Sequence, residues 1–398
     1  MHVRQAGFGL VLASIVSACC PMAAGASPFI PADDAQVLEQ LPASPLDPGT
    51  HQLQTLRRQL SKQPDSLALA IRVATAFIDQ GRRLSDPRYY GYAQAALAPW
   101  WDGPTPPVPV LVLRATIRQH NHDFDSALAD LSLVLEADPQ NAQAWLTRAL
   151  ILQVRGDYAA AKDNCMQVLQ LAAPLVGVTC LSGVGSLTGE AQKSENILHA
   201  ALTRADAGDT SVRLWALTVL AEGATRRGDP HAAEAYFQQA LALGVSDDYL
   251  LGAYADFLLD QGHSQRVIDL LANATRADAL LLRLAIAEQD AGAPTRDEHV
   301  ETLRARFAAS HLRGEAVHRR EEARFTLHLG DDPRAALALA QQNWRVQHEP
   351  WDARVLLECA IATGDHHAAQ PVLEFLQQSH LEDVELAQLS ERLRTVTP

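Results

Sequence analysis

Few residues of this sequence have the types and spacing that catalysis requires. The run 183–189 carries glycines near the spacing of a dinucleotide-binding loop, but the spacing is off by one and no predicted strand precedes it. Ser186 within this run lacks the glycine–x–serine–x–glycine context of a nucleophile elbow. We interpret these small residues as positions where helices touch. The sequence therefore predicts no catalytic residue, no cofactor and no enzymatic activity.

Histidines form two close groups that invite a test for metal binding. His120 and His122 flank Asn121, and His366 is followed directly by His367, each time in a polar stretch between two predicted helices. A metal site needs three or four ligands that converge in space, and each stretch supplies only two. The prediction is that these turns bind no metal.

The elements that must position any site are helices. Alanine and leucine prevail among the 47% hydrophobic residues and only 6% of the chain is aromatic, a composition that favours helix over sheet. The formal net charge of −14 would repel a nucleic-acid backbone overall, so a nucleic-acid partner is not expected. After the N-terminal segment, no apolar run reaches the roughly 18–20 residues that span a bilayer.

The N-terminus has the organisation of a secretory signal. Arg4 supplies the positive charge, residues 8–18 form a short apolar stretch, and small residues at 24–26 offer a cleavage site. An overlapping alternative is lipidation of Cys19, because the Val-Ser-Ala before it resembles a bacterial lipobox. Both alternatives predict a protein that works outside the cytoplasm, in the bacterial periplasm or attached to the outer membrane.

The sequence repeats itself with a period of 34 residues. Five pairs of matching residues lie 34 apart: Asp123 and Asp157, Phe124 and Tyr158, Ala127 and Ala161, Val134 and Val168, Leu135 and Leu169. The same interval separates Gly228 from Gly262 and Gly330 from Gly364, whereas the intervals on either side of Gly292 are 30 and 38. Apolar residues recur three and four apart on both sides of these glycines, which predicts paired helices with one buried stripe each.

This pattern resembles the tetratricopeptide repeat family, whose unit is a 34-residue helix–turn–helix, over about residues 65–376. The consensus residues of the most specific stretch, 108–173, are Pro139, Trp145, Ala149, Gly156, Tyr158 and Ala161. The run 86–101 is also similar to one in uncharacterised exported bacterial proteins of this repeat type. The resemblance implies an all-α, right-handed superhelical solenoid of about nine units, in which each unit touches only its neighbours.

The domain organisation follows from the signal and the repeat. Residues 1–26 form the signal peptide, and residues 27–50 contain five prolines, which predict an extended arm with at most a short helix near 34–40. Residues 51–376 form the solenoid. Residues 377–398 form a capping helix and tail, because a terminal repeat needs a polar outer face.

The resemblance also implies a disulfide bond. Cys165 lies in the second helix of the third unit, where the family usually places a large apolar residue that faces the first helix of the next unit. Cys180 lies early in that helix, and an exported location permits oxidation. We therefore predict a bond between Cys165 and Cys180. Cys359, between apolar residues, is interpreted as a buried small hydrophobe.

In such a superhelix the first helix of each unit lines a concave groove. The polar residues predicted to face the groove are Gln143, Gln153, Glu222, Thr225, Asp256, Gln289, Arg320, Arg324, Arg354 and Glu358. The three arginines would hold a carboxylate of a partner. The alternative is that nearby glutamates neutralise them in ordinary surface pairs: Glu321, Glu322 and Glu358.

The function predicted from these features is that of a non-catalytic exported scaffold that binds a protein or peptide in its groove. The alternative is an outer-membrane lipoprotein, tethered at Cys19, that assists envelope assembly or export. A metal-binding or enzymatic accessory protein is the third hypothesis. Fold alone does not choose among them, because function depends on the site.

Overall fold

The computed structural model describes residues 48–84, 86–205, 208–312 and 318–395. Within these ranges the regular structure consists of 21 α-helices without a β-strand, so the all-α prediction is confirmed. The predicted signal peptide, the lipidation site at Cys19 and most of the proline-rich arm lie outside the described residues.

The described residues form one leading helix, nine helical pairs, one short helix and one closing helix. The leading helix is α1 (Pro48–Lys62). The pairs, numbered units 1 to 9, are α2 (Leu67–Leu84) with α3 (Arg88–Ala96), followed by the short α4 (Ala98–Trp101); α5 (Val108–His120) with α6 (Phe124–Ala137); α7 (Ala142–Val154) with α8 (Tyr158–Leu171); α9 (Pro174–Gly185) with α10 (Ala191–Arg204); α11 (Thr210–Arg226) with α12 (Pro230–Leu241); α13 (Asp248–Asp260) with α14 (Ser264–Leu271); α15 (Asp278–Ala291) with α16 (Arg296–Leu312); α17 (Arg319–His328) with α18 (Pro333–Trp344); and α19 (Pro350–Thr363) with α20 (His366–Ser379). The closing helix is α21 (Val384–Thr395). Nine pairs agree with the predicted number of units.

A glycine and an aspartate form the turn inside several units. Gly156 adopts a φ of +78°, in the left-handed region that a side chain disfavours, and so lets the chain reverse between α7 and α8. The aspartate that follows caps the second helix by accepting a hydrogen bond from the backbone N–H three residues ahead. This bond measures 3.1 Å at Asp157, 3.0 Å at Asp229 and 3.1 Å at Asp365.

Each pair buries an apolar stripe against the neighbouring pairs. In unit 5 the apolar residues that recur three and four apart on both sides of Gly228 include Leu217, Leu220, Phe237 and Ala240, and these four are buried. Each large apolar side chain removed from water contributes roughly 1.5–3 kcal/mol. Stacking of these stripes from unit to unit therefore holds the array together.

The disulfide between Cys165 in α8 and Cys180 in α9 is present, with the two Cα atoms 5.5 Å apart. The two helices approach closely one turn away, at Gly177. A Cβ built on Gly177 would lie 2.3 Å from the Cα of Leu169, so no larger residue fits there without moving a helix. Gly177 thus serves helix–helix contact. Within the run 183–189, where the sequence predicted such contacts, a Cβ on Gly185 would lie 2.3 Å from Ser194 Oγ of α10, whereas a Cβ on Gly183 would meet only the Gln153 side chain.

The expectation that each unit touches only its neighbours is wrong for the C-terminal units. The backbone N–H of His348 donates a hydrogen bond to the carbonyl of Val154 at 2.7 Å, and its Nδ1 bonds the carbonyl of Arg155 at 2.8 Å. The ring of Phe375 lies 5.8 Å from the ring of Tyr158. Units 8 and 9 therefore pack against unit 3.

The closing helix and the residues before it also pack against earlier units of the array. Val384 packs over Gly228 in the turn of unit 5, and His380 packs over Gly189 in unit 4. Leu381 joins the apolar cluster that surrounds the disulfide. Apolar side chains of the last units therefore pack against earlier turns of the array, and α21 lies within the segment 377–398 that the sequence predicted to contain a capping helix.

Candidate functional site

Closure of the array turns its concave groove into a partly enclosed chamber of about 230 Å³. One side of the chamber comes from the first helices of units 3 to 7. The other side comes from the start of α17, the start of α19 and the start of α21. Residues far apart in the sequence therefore share one cavity, a geometry typical of ligand-binding sites.

Six of the ten predicted groove residues line this chamber: Gln153, Glu222, Thr225, Asp256, Arg320 and Arg354. The other four lie elsewhere. Gln143 is exposed and donates to Thr147, and Gln289 is exposed and donates to the carbonyl of His328. Arg324 and Glu358 lie behind the wall, in contact with residues that line it.

Trp351 holds two of the predicted arginines. The guanidinium carbon of Arg324 and that of Arg354 each lie 4.4 Å from the centre of a Trp351 ring. Cations over an indole face are attracted by its quadrupole, and the attraction increases where water is excluded. Trp351 thereby fixes both guanidinium groups at the junction of units 8 and 9.

The same two arginines form ion pairs across the groove with α13. Arg324 Nη1 lies 2.7 Å from an oxygen of Asp256, and Arg354 makes two hydrogen bonds to Asp260, at 2.8 and 2.7 Å. Arg283 of α15 also donates to Asp256 at 2.5 Å. Planar two-point pairing of this kind is strong when water is largely excluded.

Arg320 is engaged by carboxylates of its own region, at 2.8 Å from Glu349 and 3.2 Å from Glu321. Burial alone would raise the pKa of Glu321, but the charge of Arg320 outweighs it and lowers that pKa to about 2. Of the glutamates proposed as neutralising partners, Glu321 pairs with Arg320, Glu358 pairs with Arg354 at 2.8 Å, and Glu322 pairs with His311 instead. These arginine pairs are largely buried rather than at the surface.

Sequence reasoning did not identify Tyr249, the most prominent side chain of the chamber. Tyr249 lines the chamber, and 63% of its surface is exposed. Its hydroxyl donates to Glu222 at 2.8 Å. A signal was present: Tyr249 and Trp351 each lie 13 residues before the turn glycine of their unit, Gly262 and Gly364. The two aromatic residues thus share one repeat position.

Three carboxyl groups of the chamber have raised pKa values. Burial raises the pKa of Glu222 and of Asp383, and burial together with the charge of Asp260 raises the pKa of Glu385. These groups can accept hydrogen bonds or attract a positive charge.

Cys359, predicted to be a buried small hydrophobe, is buried, and burial raises the pKa of its thiol to about 12.

The histidine groups lie apart from the chamber. The ring of His120 stacks on Tyr90 with the ring centres 3.5 Å apart, and His122 lies 3.4 Å from Gln347. Burial lowers the pKa of both histidines to about 4. Over the residues that the structure describes, no group of three or more histidine, cysteine, aspartate or glutamate side chains is placed to hold a metal ion.

None of the helices in the described ranges has the length and apolarity needed to cross a membrane. No family model matches the sequence, and no curated protein matches it.

Solved structures with similar helical arrangements have low sequence identity to this chain. A tetratricopeptide repeat protein from Parabacteroides merdae is 17% identical with a TM-score of 0.38, and the match covers 64% of this chain and 90% of that one. A Rap protein complexed with Competence and Sporulation Factor is 14% identical with a TM-score of 0.45, over 87% and 91%. A human IFIT1 dimer with PPP-AAAA is 13% identical with a TM-score of 0.46, over 89% and 92%.

These identities and TM-scores are too low to transfer a ligand or a partner. The structure itself is tetratricopeptide-like: nine stacked helical pairs, with a spacing of 34 residues between several neighbouring units and first helices that line a concave wall.

Proposed function

We propose that this chain is a non-catalytic binding protein that holds a short segment of a partner protein in its central chamber. The observation that carries the proposal is the chamber itself, a cavity of about 230 Å³ lined by polar groups from both sides of the closed array. Its volume admits a side chain or a short extended segment but no folded domain. The exposed ring of Tyr249 offers an amphipathic contact surface of the kind that binding sites favour.

A photo-crosslinking pair tests the proposal. The crosslinking residue p-benzoylphenylalanine is placed at Tyr249, inside the chamber, or at Tyr92, an aromatic residue 51% exposed that does not line the chamber. We expect a defined adduct with a cellular protein from position 249 and none from position 92. Adducts from position 92 alone, or from neither position, would contradict a binding role for the chamber.

The location proposed for this function is outside the cytoplasm. The charged, apolar and small-residue succession before Ser27 supports export, and so does the disulfide, because such bonds persist in oxidising compartments. The lipidated alternative rests on the sequence before Cys19. Mass spectrometry of the mature N-terminus separates the two, since cleavage leaves Ser27 and lipidation leaves an acylated Cys19. A cytoplasmic protein that retains Met1 would contradict both.

A further inference from the structure

The wall of the chamber carries more acidic than basic groups. The acidic side chains that line it are Glu222, Asp248, Asp256, Asp260, Glu321, Glu349, Asp383 and Glu385. The basic side chains that line it are Arg226, Arg283, Arg320 and Arg354. Among the lining residues that the structure describes, eight carboxylates against four guanidinium groups leave a formal excess of four negative charges. Walls of one sign that exclude water concentrate the field inside a cleft and favour a ligand of the opposite sign.

Most of the arginines are committed to carboxylates of the chain. Arg283 pairs with Asp256, Arg354 pairs with Asp260, and Arg320 lies 2.8 Å from Glu349. An anionic ligand would have to displace one of these carboxylates from a largely buried pair, which leaves a charge without its partner and costs several kcal/mol.

Arg226 is the exception among the arginines of the wall. Its side chain donates to the hydroxyl of Ser186 at 2.8 Å, and no carboxylate of the described residues lies within ion-pair distance of it. One guanidinium group already bonded to a hydroxyl offers limited attraction for an anion, because the acidic groups of the wall outnumber the basic ones. An anion at Arg226 is the competing outcome that a test must distinguish.

Three carboxylates, by contrast, form no close ion pair with an arginine among the described residues, although the charge of Arg226 acts on Glu222 and Asp383 and that of Arg354 acts on Glu385. The bond that Glu222 receives comes from the neutral hydroxyl of Tyr249. In the part of the chain that the structure describes, the side chain of Glu385 has no hydrogen-bond partner, and the side chain of Asp383 accepts only backbone N–H groups at the start of α21. These groups lie on both sides of the chamber, with Glu222 on α11 and the other two beside the C-terminal wall.

We infer that the chamber takes the ammonium or guanidinium group of a basic side chain in a partner peptide, an inference that rests on the function proposed above. Glu222 and Glu385 each supply a negative charge, one from each side of the chamber. The exposed ring of Tyr249 supplies a π face for the same cation. The excess negative charge of the chamber attracts a cation, and binding the cation does not require any arginine–carboxylate pair of the chain to break.

Three blocked tripeptides of the form Ala-X-Ala, with arginine, glutamine or glutamate at X, test the charge of the ligand on the full chain by calorimetry. We expect the arginine peptide to bind at least about tenfold more tightly than the other two, since a bond to a charged group contributes roughly 1.5–3 kcal/mol. Its affinity should fall as salt rises. Butylguanidine, which carries one guanidinium group and no peptide backbone, serves as the fourth probe. Weaker binding of this compound than of the arginine peptide identifies a peptide as the source of the ligand.

Matched variants locate the binding to the chamber. Glu222→Gln with Glu385→Gln should weaken the arginine peptide about tenfold. Glu374→Gln, which removes one carboxylate charge from an exposed residue of α20 outside the chamber, should leave the affinity unchanged. Circular dichroism confirms that each variant remains helical, and the peptide series on the unaltered chain needs no variant at all.

Two results would overturn the inference. The first is a glutamine or glutamate peptide that binds as tightly as the arginine peptide, and the second is an arginine peptide that does not bind or binds the double variant equally well. Both leave the proposed binding role standing if crosslinking at position 249 still captures a partner. Loss of that crosslinking instead removes the proposed function, so the two failures are distinguishable.

Discussion

Arg354 in α19 binds Asp260 in α13 through two hydrogen bonds, at 2.8 and 2.7 Å, although the residues are 94 positions apart. The pair joins the C-terminal wall of the chamber to the opposite wall. Both side chains are largely buried, with 19% and 14% of their surface exposed. This ion pair therefore holds the two walls of the chamber together, and changing one of its residues tests how much it contributes to closure of the array.

Asp260→Asn should loosen this closure. The change removes one of the two carboxylates that Arg354 contacts and leaves Glu358 as its remaining partner, so we expect the free energy of unfolding to fall by about 2 kcal/mol. Hydrogen exchange in α19 and α21 should accelerate more than in units 1 and 2, because the closing contacts are lost first. Urea unfolding and exchange mass spectrometry measure the two effects.

The control for this variant is Asp125→Asn. Asp125 pairs with Arg155 at 2.6 Å, but its side chain is 89% exposed, and exposed pairs contribute at most about 1 kcal/mol. Equal losses in the two variants would show that the pair between Arg354 and Asp260 does not hold the array closed.

Gly177→Ala should be among the most harmful single-methyl changes in the chain. The new Cβ would meet the backbone of Leu169 at 2.3 Å, which forces α8 and α9 apart and costs about 1–3 kcal/mol. Gly183→Ala in the same helix is the matched comparison, because its Cβ meets only the Gln153 side chain at 3.6 Å. We expect that variant to keep or gain stability through helix propensity. Thermal unfolding of both variants checks the order, which the opposite ranking would contradict.

Loss of the disulfide should destabilise unit 4. The bond closes a separation of 15 residues, for which chain entropy predicts a contribution of about 3 kcal/mol. Cys165→Ser with Cys180→Ser should lower the free energy of unfolding by this order, measured in urea. Reductant should lower the stability of the unaltered chain and leave that of the double variant unchanged. A chain that shows no response to reductant would contradict a stabilising role.

Part of the free energy of unfolding should depend on pH through the ionisation of Glu358. Burial alone would raise its pKa, but hydrogen bonds from His328 and Arg354 and their charges outweigh burial and lower the pKa to about 2, from 4.5. A carboxyl group with a lowered pKa stabilises the fold above its unfolded value of 4.5, and this contribution is lost as pH falls from about 4.5 to about 2.

Glu358→Gln should therefore lower the free energy of unfolding at pH 7 by on the order of 2 kcal/mol and much less near pH 2. Urea titrations at several pH values measure the difference, with the exposed Glu374→Gln as control. If Glu358→Gln costs the same at both ends of the pH range, the stabilising charge resides elsewhere.

The sequence predicted the parts of the fold that depend on local pattern. The 34-residue repeat located the helical pairs, because the spacing of apolar residues and the turn glycine are both local features of the sequence of one unit. The same register identified Glu222 and Asp256 as groove residues, since they occupy equivalent places in units 5 and 6. It also identified Cys165 and Cys180 as neighbours, because consecutive units stack in a known order.

Closure of the array could not be predicted from the same information. Whether the last unit reaches the third depends on small rotations accumulated at every junction, including the irregular spacing around Gly292, and side-chain packing sets each rotation. The ion pairs of Arg324 and Arg354 follow from that return of the chain. The sequence therefore identified Arg354 as a groove residue and Glu358 as its partner, but it did not identify the pairs with Asp256 and Asp260 across the groove.

The packing of units 8 and 9 against unit 3 also determines the stage of folding at which the chamber forms. Gln347 contacts His122 across 225 positions, and His348 contacts Arg155 across 193. An open repeat array can fold from any point by adding neighbours, whereas these contacts require the ends of long loops to meet, which slows folding. A chain that emerges N-terminus first would thus present an open concave surface until the residues around α19 and α21 arrive. The last step of folding is then the step that completes the chamber.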